Sequence, residues 1–161
     1  MIKRSLFIIL IGVSVLSART AGSMFRIGAN TSVLFENGNA YPVIGITAGF
    51  YPVNFFFMEG SGEYVFRNDY KEFALPVTAN LAYKTRYFQP YAGAGIAYHL
   101  YDYSDHDEHS FGARVKTGVT LFDTKGASGS FEVTYDVPDL KGSKGRWYFT
   151  GRLDKSFNLQ F

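Results

Sequence analysis

Apolar and polar side chains alternate with a period of two from Phe25 to the end of the chain, and turn residues interrupt the alternation at intervals. This period is typical of a strand that is apolar on one face and polar on the other. It predicts eight strands, in the ranges 25–35, 41–51, 55–66, 73–84, 89–101, 111–122, 130–137 and 146–161. Most of them are long enough to cross a membrane as tilted strands, which takes about 9–11 residues.

Two positions break the alternation. Leu34 falls on the polar face of the first strand. Pro76 lies within the fourth strand, where its missing N–H requires a bulge or an unpaired position.

The N-terminal segment has a different pattern. Lys3 and Arg4 precede an apolar run over residues 6–16, and small residues follow. A basic start, a short apolar segment and a small-residue exit are typical of a secretory signal peptide. We predict that residues 1–23 form this signal, with cleavage between residues 18 and 23, and that residues 24–161 form one domain.

Removal of residues 1–23 changes the charge balance. The whole chain has 16 basic and 14 acidic residues, and three of the basic ones, Lys3, Arg4 and Arg19, lie in the signal. The remaining 13 basic against 14 acidic residues give a net charge of −1, so no basic excess indicates nucleic acid as a partner. The chain has no cysteine, so an exported domain gains no stability from disulfides.

Alternation alone fits both a soluble sandwich and a membrane barrel. Aromatic residues favour the barrel because they cluster near strand ends, where two girdles would meet the bilayer interfaces. One group comprises Tyr64, Phe66, Phe73, Tyr98, Phe111 and Trp147, and the other comprises Phe50, Phe56, Tyr83, Phe157 and Phe161. We therefore predict an all-β fold, an eight-stranded antiparallel up-and-down transmembrane β-barrel.

The polar face carries charges of both signs. The interior of an eight-stranded barrel is just wide enough for side chains, and buried charges there must be paired. We predict an interior charge network of Arg26, Glu59, Glu63, Arg114, Lys116, Glu132, Asp136, Arg146, Arg152 and Asp154.

The last strand ends with Phe157, Leu159 and Phe161. This ending resembles the C-terminal assembly signal of bacterial outer-membrane proteins, although Ser156 stands where glycine is commoner. The segment over residues 89–95 is similar to the fifth-strand opening of small OmpA/OmpX-type barrels. The resemblance implies a location in the bacterial outer membrane, contact with outer-membrane lipids and lipopolysaccharide, and insertion by the barrel-assembly machinery.

Lys155 conflicts with this pattern because it falls on the apolar face. Six residues of tilted strand place it about 15 Å above Phe161, near the bilayer midplane. A lysine there would cost about 2–4 kcal/mol, unless it snorkels, sits at a bulge or marks a protein contact.

The sequence offers few candidates for chemistry. Asp102, Asp105, His106, Asp107 and His109 form an acidic region that could hold a divalent cation, but their spacing matches no tight metal motif. We interpret the region as a solvated loop and predict no metal and no cofactor. His109 and Ser110 are adjacent and point to opposite faces, and Ser104, the serine nearest His99 in sequence, lies in a loop, so no nucleophile–base pair is visible.

We therefore expect a monomeric outer-membrane barrel with a structural or surface-interaction role, a lumen filled by side chains and no catalytic activity. Two alternatives stay open at this point. The first is an outer-membrane lipid-modifying enzyme, and the second is a narrow, porin-like channel.

Overall fold

The computed structural model describes residues 24–83, 85, 87–124 and 126–158, with side chains for all of these except 122–124 and 158. It contains eight strands, which are β1 (Met24–Glu36), β2 (Asn39–Val53), β3 (Phe56–Val65), β4 (Lys71–Ala82), β5 (Phe88–Asp102), β6 (Asp107–Thr124), β7 (Ala127–Val137) and β8 (Arg146–Asn158). Within these ranges, no helix is long and apolar enough to cross a membrane. The predicted signal peptide and residues 159–161 lie outside the described part of the chain.

Every strand pairs antiparallel with its neighbour in sequence, and β8 returns to pair with β1, so the sheet is a closed barrel. The closing ladder runs from Met24 opposite Asn158 to Phe35 opposite Trp147. Closure pairs the first and last strands with each other, so that neither presents the open sheet edge that a bilayer would not tolerate. The predicted eight-stranded up-and-down barrel is confirmed. We call the end with Met24 and Asn158 the proximal end and the opposite end the distal end.

The outward face is apolar and exposed along the strands. Among the outward strand positions whose side chains are described, charged residues occur only at the two ends: Lys71, Asp102 and Asp107 at the distal end, and Lys155 at the proximal end. Exposed side chains such as Ile46 and Leu153 lie between them. An apolar band with charges restricted to both rims fits the hydrocarbon layer of a membrane.

Two connections are shorter than the strand bounds predicted from the sequence indicated. The predicted loop at 104–110 is wrong, because β5 and β6 stay paired up to Asp102 opposite Asp107. The predicted connection at 123–129 is also wrong, because β6 ends at Thr124 and β7 begins at Ala127. Polar residues continue these hairpins past the apolar band, where water replaces lipid on the outer face.

The two exceptions to the alternation have structural reasons. In the β3–β4 ladder the pairing breaks between Gly60 opposite Val77 and Glu63 opposite Ala74, which is where Pro76 lacks an N–H to donate. Leu34 points inward and is fully buried, where it packs against Val43 and other apolar side chains.

The predicted height of Lys155 is wrong. In the β7–β8 ladder Lys155 pairs with Ala127, the first residue after the turn between β6 and β7. Its ammonium reaches this turn, since a β-carbon placed on Gly126 would lie 3.5 Å from its Nζ. The exposed side chain of Lys155 therefore lies at the proximal rim and not near the bilayer midplane.

Gly95 marks a close approach between β4 and β5. A β-carbon at this inward position would overlap the backbone carbonyl of Val77, which cannot move away without opening the ladder. We expect Gly95→Ala to lower the free energy of unfolding by about 1–3 kcal/mol. Urea titration of the barrel refolded in detergent, read by gel mobility without boiling, measures this loss.

Gly60→Ala is the matched control. Gly60 lies on the outward face of β3, and the atom nearest to a β-carbon there is 3.8 Å away. We expect a change within about 0.5 kcal/mol. Equal losses in the two variants would contradict the close approach at Gly95.

Candidate functional site in the barrel lumen

The lumen is built in layers, and the layer nearest the proximal end is aromatic. Tyr51 and Phe57 stack with ring centroids 4.4 Å apart, and Tyr91 meets Phe57 edge-on at 5.4 Å. Met24 and Ala82 pack against these three buried rings. The layer closes the proximal mouth with apolar surface.

A charged cluster lies directly above the aromatic layer. Lys116 Nζ lies 2.5 Å from Glu59 Oε1 and 3.0 Å from Glu132 Oε2. Arg152 lies 2.5 Å from the second oxygen of Glu59 and 2.9 Å from Asp154. Glu59 on β3 therefore bridges two cations from β6 and β8, the two strands that pair with β7. We call these five residues the central cluster.

Arg26 joins the lumen in a different way from the other predicted charges. Its guanidinium lies 4.5 Å from the centroid of the Tyr51 ring, and it donates a hydrogen bond to Tyr51 Oη at 3.3 Å. A cation above an aromatic face is stabilised by the ring quadrupole. Arg26 thus links the central cluster to the aromatic layer below it.

A small space lies inside the barrel between the two groups of charges. A central cavity of about 20 Å³ lies between the central cluster and the charges above it, and Glu59, Glu63, Arg114 and Arg152 are among its walls. A volume of this size holds about one water molecule.

A second group of ion pairs fills the distal half of the lumen. Arg114 lies 2.9 Å from Glu63 and 3.2 Å from Asp136, and Arg146 lies 3.0 Å from the other oxygen of Asp136. Arg146 also pairs with Glu72. These five residues, which we call the distal cluster, are 0–9% exposed. Asp136 holds the two arginines together.

An apolar plug lies beside the distal cluster. Tyr148 packs with Leu34, Val43 and Val65, and all four are buried. The guanidinium of Arg114 lies 4.9 Å from the Tyr148 ring centroid, and that of Arg146 lies 5.6 Å from it. The ring therefore contacts both cations.

His99 is a buried member of this region that the predicted network did not include. Its Nδ1 lies 3.1 Å from Arg146, which can donate a hydrogen bond to it, and 3.5 Å from Glu72. Its Nε2 lies 3.5 Å from Asp136. The alternation in the sequence predicted that the His99 side chain faces the lumen, but it did not predict the partners of that side chain.

The serine opposite His99 is Ser110, from the adjacent strand β6, and not Ser104. Both side chains face inward. The pairing of β5 with β6 therefore places a histidine and a serine side by side, although they are separated in sequence. Ser110, however, donates its hydroxyl hydrogen bond to the carbonyl of Pro138 at 2.7 Å. The structure gives no hydrogen bond between Ser110 and His99 among the described residues.

Arg67, in the connection between β3 and β4, closes the distal cluster from above. It lies 2.6 Å from Glu36 and 2.9 Å from Glu72. Its guanidinium sits between two rings, 4.3 Å from Tyr41 and 5.0 Å from Tyr70. Burial alone would lower the pKa of Arg67, but the carboxylates of Glu72 and Glu36 raise it above its ordinary value.

The distal mouth carries a row of aromatic rings. Tyr70 contacts Tyr101 and Tyr103 with ring centroids 5.8 and 4.8 Å apart. Tyr103 stacks on His106 at 5.0 Å. We call these four residues the mouth aromatics. They form a platform on the rim in which the three tyrosines are half-buried and His106 is exposed, with acidic side chains around it.

The candidate metal ligands lie on this rim without forming a metal centre. His106 Nδ1 lies 2.7 Å from Asp105 and its Nε2 lies 3.3 Å from Glu108. Asp102 lies 3.5 Å from Lys71 instead. His109 contacts the Tyr98 ring. In the described ranges there is no group of three or more histidine, cysteine or acidic side chains that could hold a metal ion.

All ten residues predicted for the interior network have side chains that face the lumen. Sequence reasoning missed four neighbours that complete it: Glu36, Arg67, Glu72 and His99. Of the predicted assembly signal, Phe157 is exposed on the outward face of β8, while Leu159 and Phe161 lie outside the described residues.

Known outer-membrane proteins share this fold at low sequence identity. No family model matches the chain, and no curated protein matches its sequence. Among solved structures, the N-terminal β-barrel domain of Pseudomonas aeruginosa OprF is 14% identical with a TM-score of 0.65, covering 82% of this chain and 97% of that one. Neisserial surface protein A is 17% identical with a TM-score of 0.66, covering 85% and 98%.

The chain has the fold of the small outer-membrane β-barrels. This likeness and the apolar outer band support the predicted location in the bacterial outer membrane. The outer-membrane enzyme PagL has the same fold, at 10% identity and a TM-score of 0.54, covering 81% of this chain and 98% of that one. The fold of this outer-membrane barrel therefore does not decide between a structural and an enzymatic role.

Proposed function

We propose that this outer-membrane barrel has a structural or surface-interaction role, with a closed lumen and no catalytic activity. The central cavity carries the proposal, because about 20 Å³ leaves room for about one water molecule between two layers of ion pairs. The aromatic layer of Tyr51, Phe57 and Tyr91 adds a further closure at the proximal end. A solute would have to displace paired, buried charges to pass.

The distal mouth supports a role in surface interaction. The mouth aromatics are three half-buried tyrosines and the exposed His106, on a rim that also carries exposed charges, including Asp105 and Glu108. Aromatic residues are enriched where proteins bind one another, because they bury a large area at low entropic cost. Because short turns and chain ends face the periplasm in barrels of this type, the distal mouth would face outward.

The absence of catalysis is proposed on the geometry of the candidate groups. Ser110 uses its hydroxyl proton on the Pro138 carbonyl, and the His99 ring is held by Arg146 and flanked by two carboxylates. A nucleophile must instead share its proton with a base. We further propose a monomer that is inserted by the barrel-assembly machinery, contacts outer-membrane lipids and lipopolysaccharide, and binds neither cofactor nor nucleic acid.

Single-channel recording in planar bilayers tests the closed lumen. We expect the refolded protein, checked for a heat-dependent shift in gel mobility, to give no stable conductance steps. Reproducible steps of ionic size would support the narrow channel instead. A lipid A acylation or deacylation assay with and without the protein tests the enzyme alternative, and we expect no change in lipid A.

A further inference from the structure

The outward face of β8 carries a groove within the apolar band. A groove of about 540 Å³ lies beside Gly151, where the missing side chain leaves a gap, and Phe131 and Leu153 form its walls. A second groove of about 510 Å³ adjoins it at Phe131 and Gly151 and continues toward Phe149. Volumes of this size are typical of small-molecule sites.

Strand register explains why the gap exists. Gly151 lies between Phe131 on β7 and Thr31 on β1. Nothing lies within 4 Å of a β-carbon placed at Gly151, whereas Phe131 and Leu153 are 64% and 75% exposed. Phe131 across the ladder and Leu153 two residues along β8 thus border the open position at Gly151, and they shape a channel along the surface.

A cation stands at the proximal end of this groove. Lys155 follows Leu153 on the same outward face of β8, and two residues of strand separate them by about 7 Å. Its ammonium reaches the turn at Gly126, at the level where a lipid headgroup meets water. An ammonium has three donors, so contacts within the protein leave it able to bind a phosphate as well.

From this arrangement we propose a binding site for one anionic glycerophospholipid of the proximal leaflet. Its acyl chains lie in the two grooves beside Gly151 and its phosphate contacts Lys155. The charge of Lys155 complements an anionic headgroup, and the apolar walls complement hydrocarbon. The inference goes beyond the proposed function and rests only on the membrane location of the barrel.

Lipid quenching of a single tryptophan at the groove tests the proposal. The chain has one tryptophan, Trp147, so Trp147→Phe with Phe131→Trp gives a probe at the groove wall. The protein is refolded into phosphatidylcholine vesicles that contain phosphatidylglycerol, with one lipid at a time brominated on its chains. Quenching by each brominated lipid gives the affinity of the site for phosphatidylglycerol relative to phosphatidylcholine.

In the parent we expect about fivefold preference for phosphatidylglycerol, the effect of one lysine at an anionic surface. Lys155→Gln should remove the preference. Lys71→Gln, which removes the exposed outward lysine at the distal rim, should keep it. Gly151→Phe fills the groove and should reduce quenching by both lipids, while Gly60→Phe on β3 should not.

Preference that survives Lys155→Gln, or quenching that survives Gly151→Phe, would overturn the proposed site. Equal loss in Lys71→Gln and Lys155→Gln would do the same, because it would show a general effect of charge. If the barrel did not lie in the membrane, neither brominated lipid would quench the parent. This result is distinguishable from failure of the lipid site alone. Heat-dependent gel mobility confirms that each variant is folded.

Discussion

Replacement of Arg146 by methionine is expected to lower the free energy of unfolding of the barrel by about 3–5 kcal/mol. Arg146 is 1% exposed and pairs with Glu72 and Asp136, neither of which is accessible to solvent. Methionine keeps most of the volume but removes the charge. The loss arises because two buried carboxylates each lose a partner that had offset their desolvation.

We expect a loss in the lower part of this range, because both carboxylates keep another cation. Glu72 keeps Arg67 at 2.9 Å, and Asp136 keeps Arg114 at 3.2 Å. His99 loses the Arg146 donor at its Nδ1. Urea titration in detergent, followed by gel mobility without boiling, measures the change relative to the parent.

Two companion variants separate the charge effect from other causes. Lys71→Met removes the cation of an exposed pair with Asp102 and is expected to cost less than about 1 kcal/mol. Glu72→Gln combined with Arg146→Met should recover part of the loss, because the neutral amide no longer needs a cation. If Arg146→Met and Lys71→Met cost the same, the distal cluster does not stabilise the barrel.

The period-two pattern was sufficient for the architecture because it reports which face each side chain occupies. Once Glu63 and Arg114 were placed on inward faces, closure of the barrel brought them within 2.9 Å although they are 51 positions apart in sequence. Leu34 is explained in the same way, since this apolar residue on the polar face of β1 is part of the apolar plug.

Residues near strand ends were harder to predict. Glu72 was missed because the fourth strand was predicted to begin at Phe73, and Arg67 and Glu36 were assigned to connections. Glu36 and Glu72 lie where charged composition resembles a loop, but pairing extends the barrel wall beyond the apolar band, whereas Arg67 does lie in a connection. Their partners come from several strands, which no local pattern specifies.

Lys155 illustrates a second limit of the sequence. Its face was predicted correctly, but its height depends on how far β8 is shifted relative to β7. A shift of two residues keeps every side chain on the same face, so alternation does not report it. The ladder partner Ala127 supplies the missing information and places the lysine at the rim.

Replacement of Glu59 by alanine is the second substitution with a large expected effect, about 3 kcal/mol of lost stability. Glu59 is 7% exposed and lies 2.5 Å from both Lys116 and Arg152. Without it Lys116 keeps Glu132 at 3.0 Å and Arg152 keeps Asp154 at 2.9 Å. Each of the two cations then has one carboxylate contact instead of two, which offsets less of the cost of its burial.

A double-mutant cycle isolates the pair that matters. Glu59→Ala and Lys116→Met are combined, and the interaction energy between them is expected to lie at about 1–3 kcal/mol, as for contacting buried charges. Ser61→Ala is the matched control, since Ser61 is on the same strand and faces the same cavity. Additive losses from Glu59→Ala and Lys116→Met would contradict the bridging role of Glu59.

Glu59→Ala also tests whether a barrel of lower stability keeps its lumen closed. Glu59 lines the central cavity, so Glu59→Ala enlarges a space that now holds about one water. We nevertheless expect no conductance in planar bilayers, because Tyr51, Phe57 and Tyr91 still close the proximal end and the distal cluster closes the other. A conducting Glu59→Ala barrel would show that the central cluster alone seals the lumen, since the layers at both ends would then be permeable to ions.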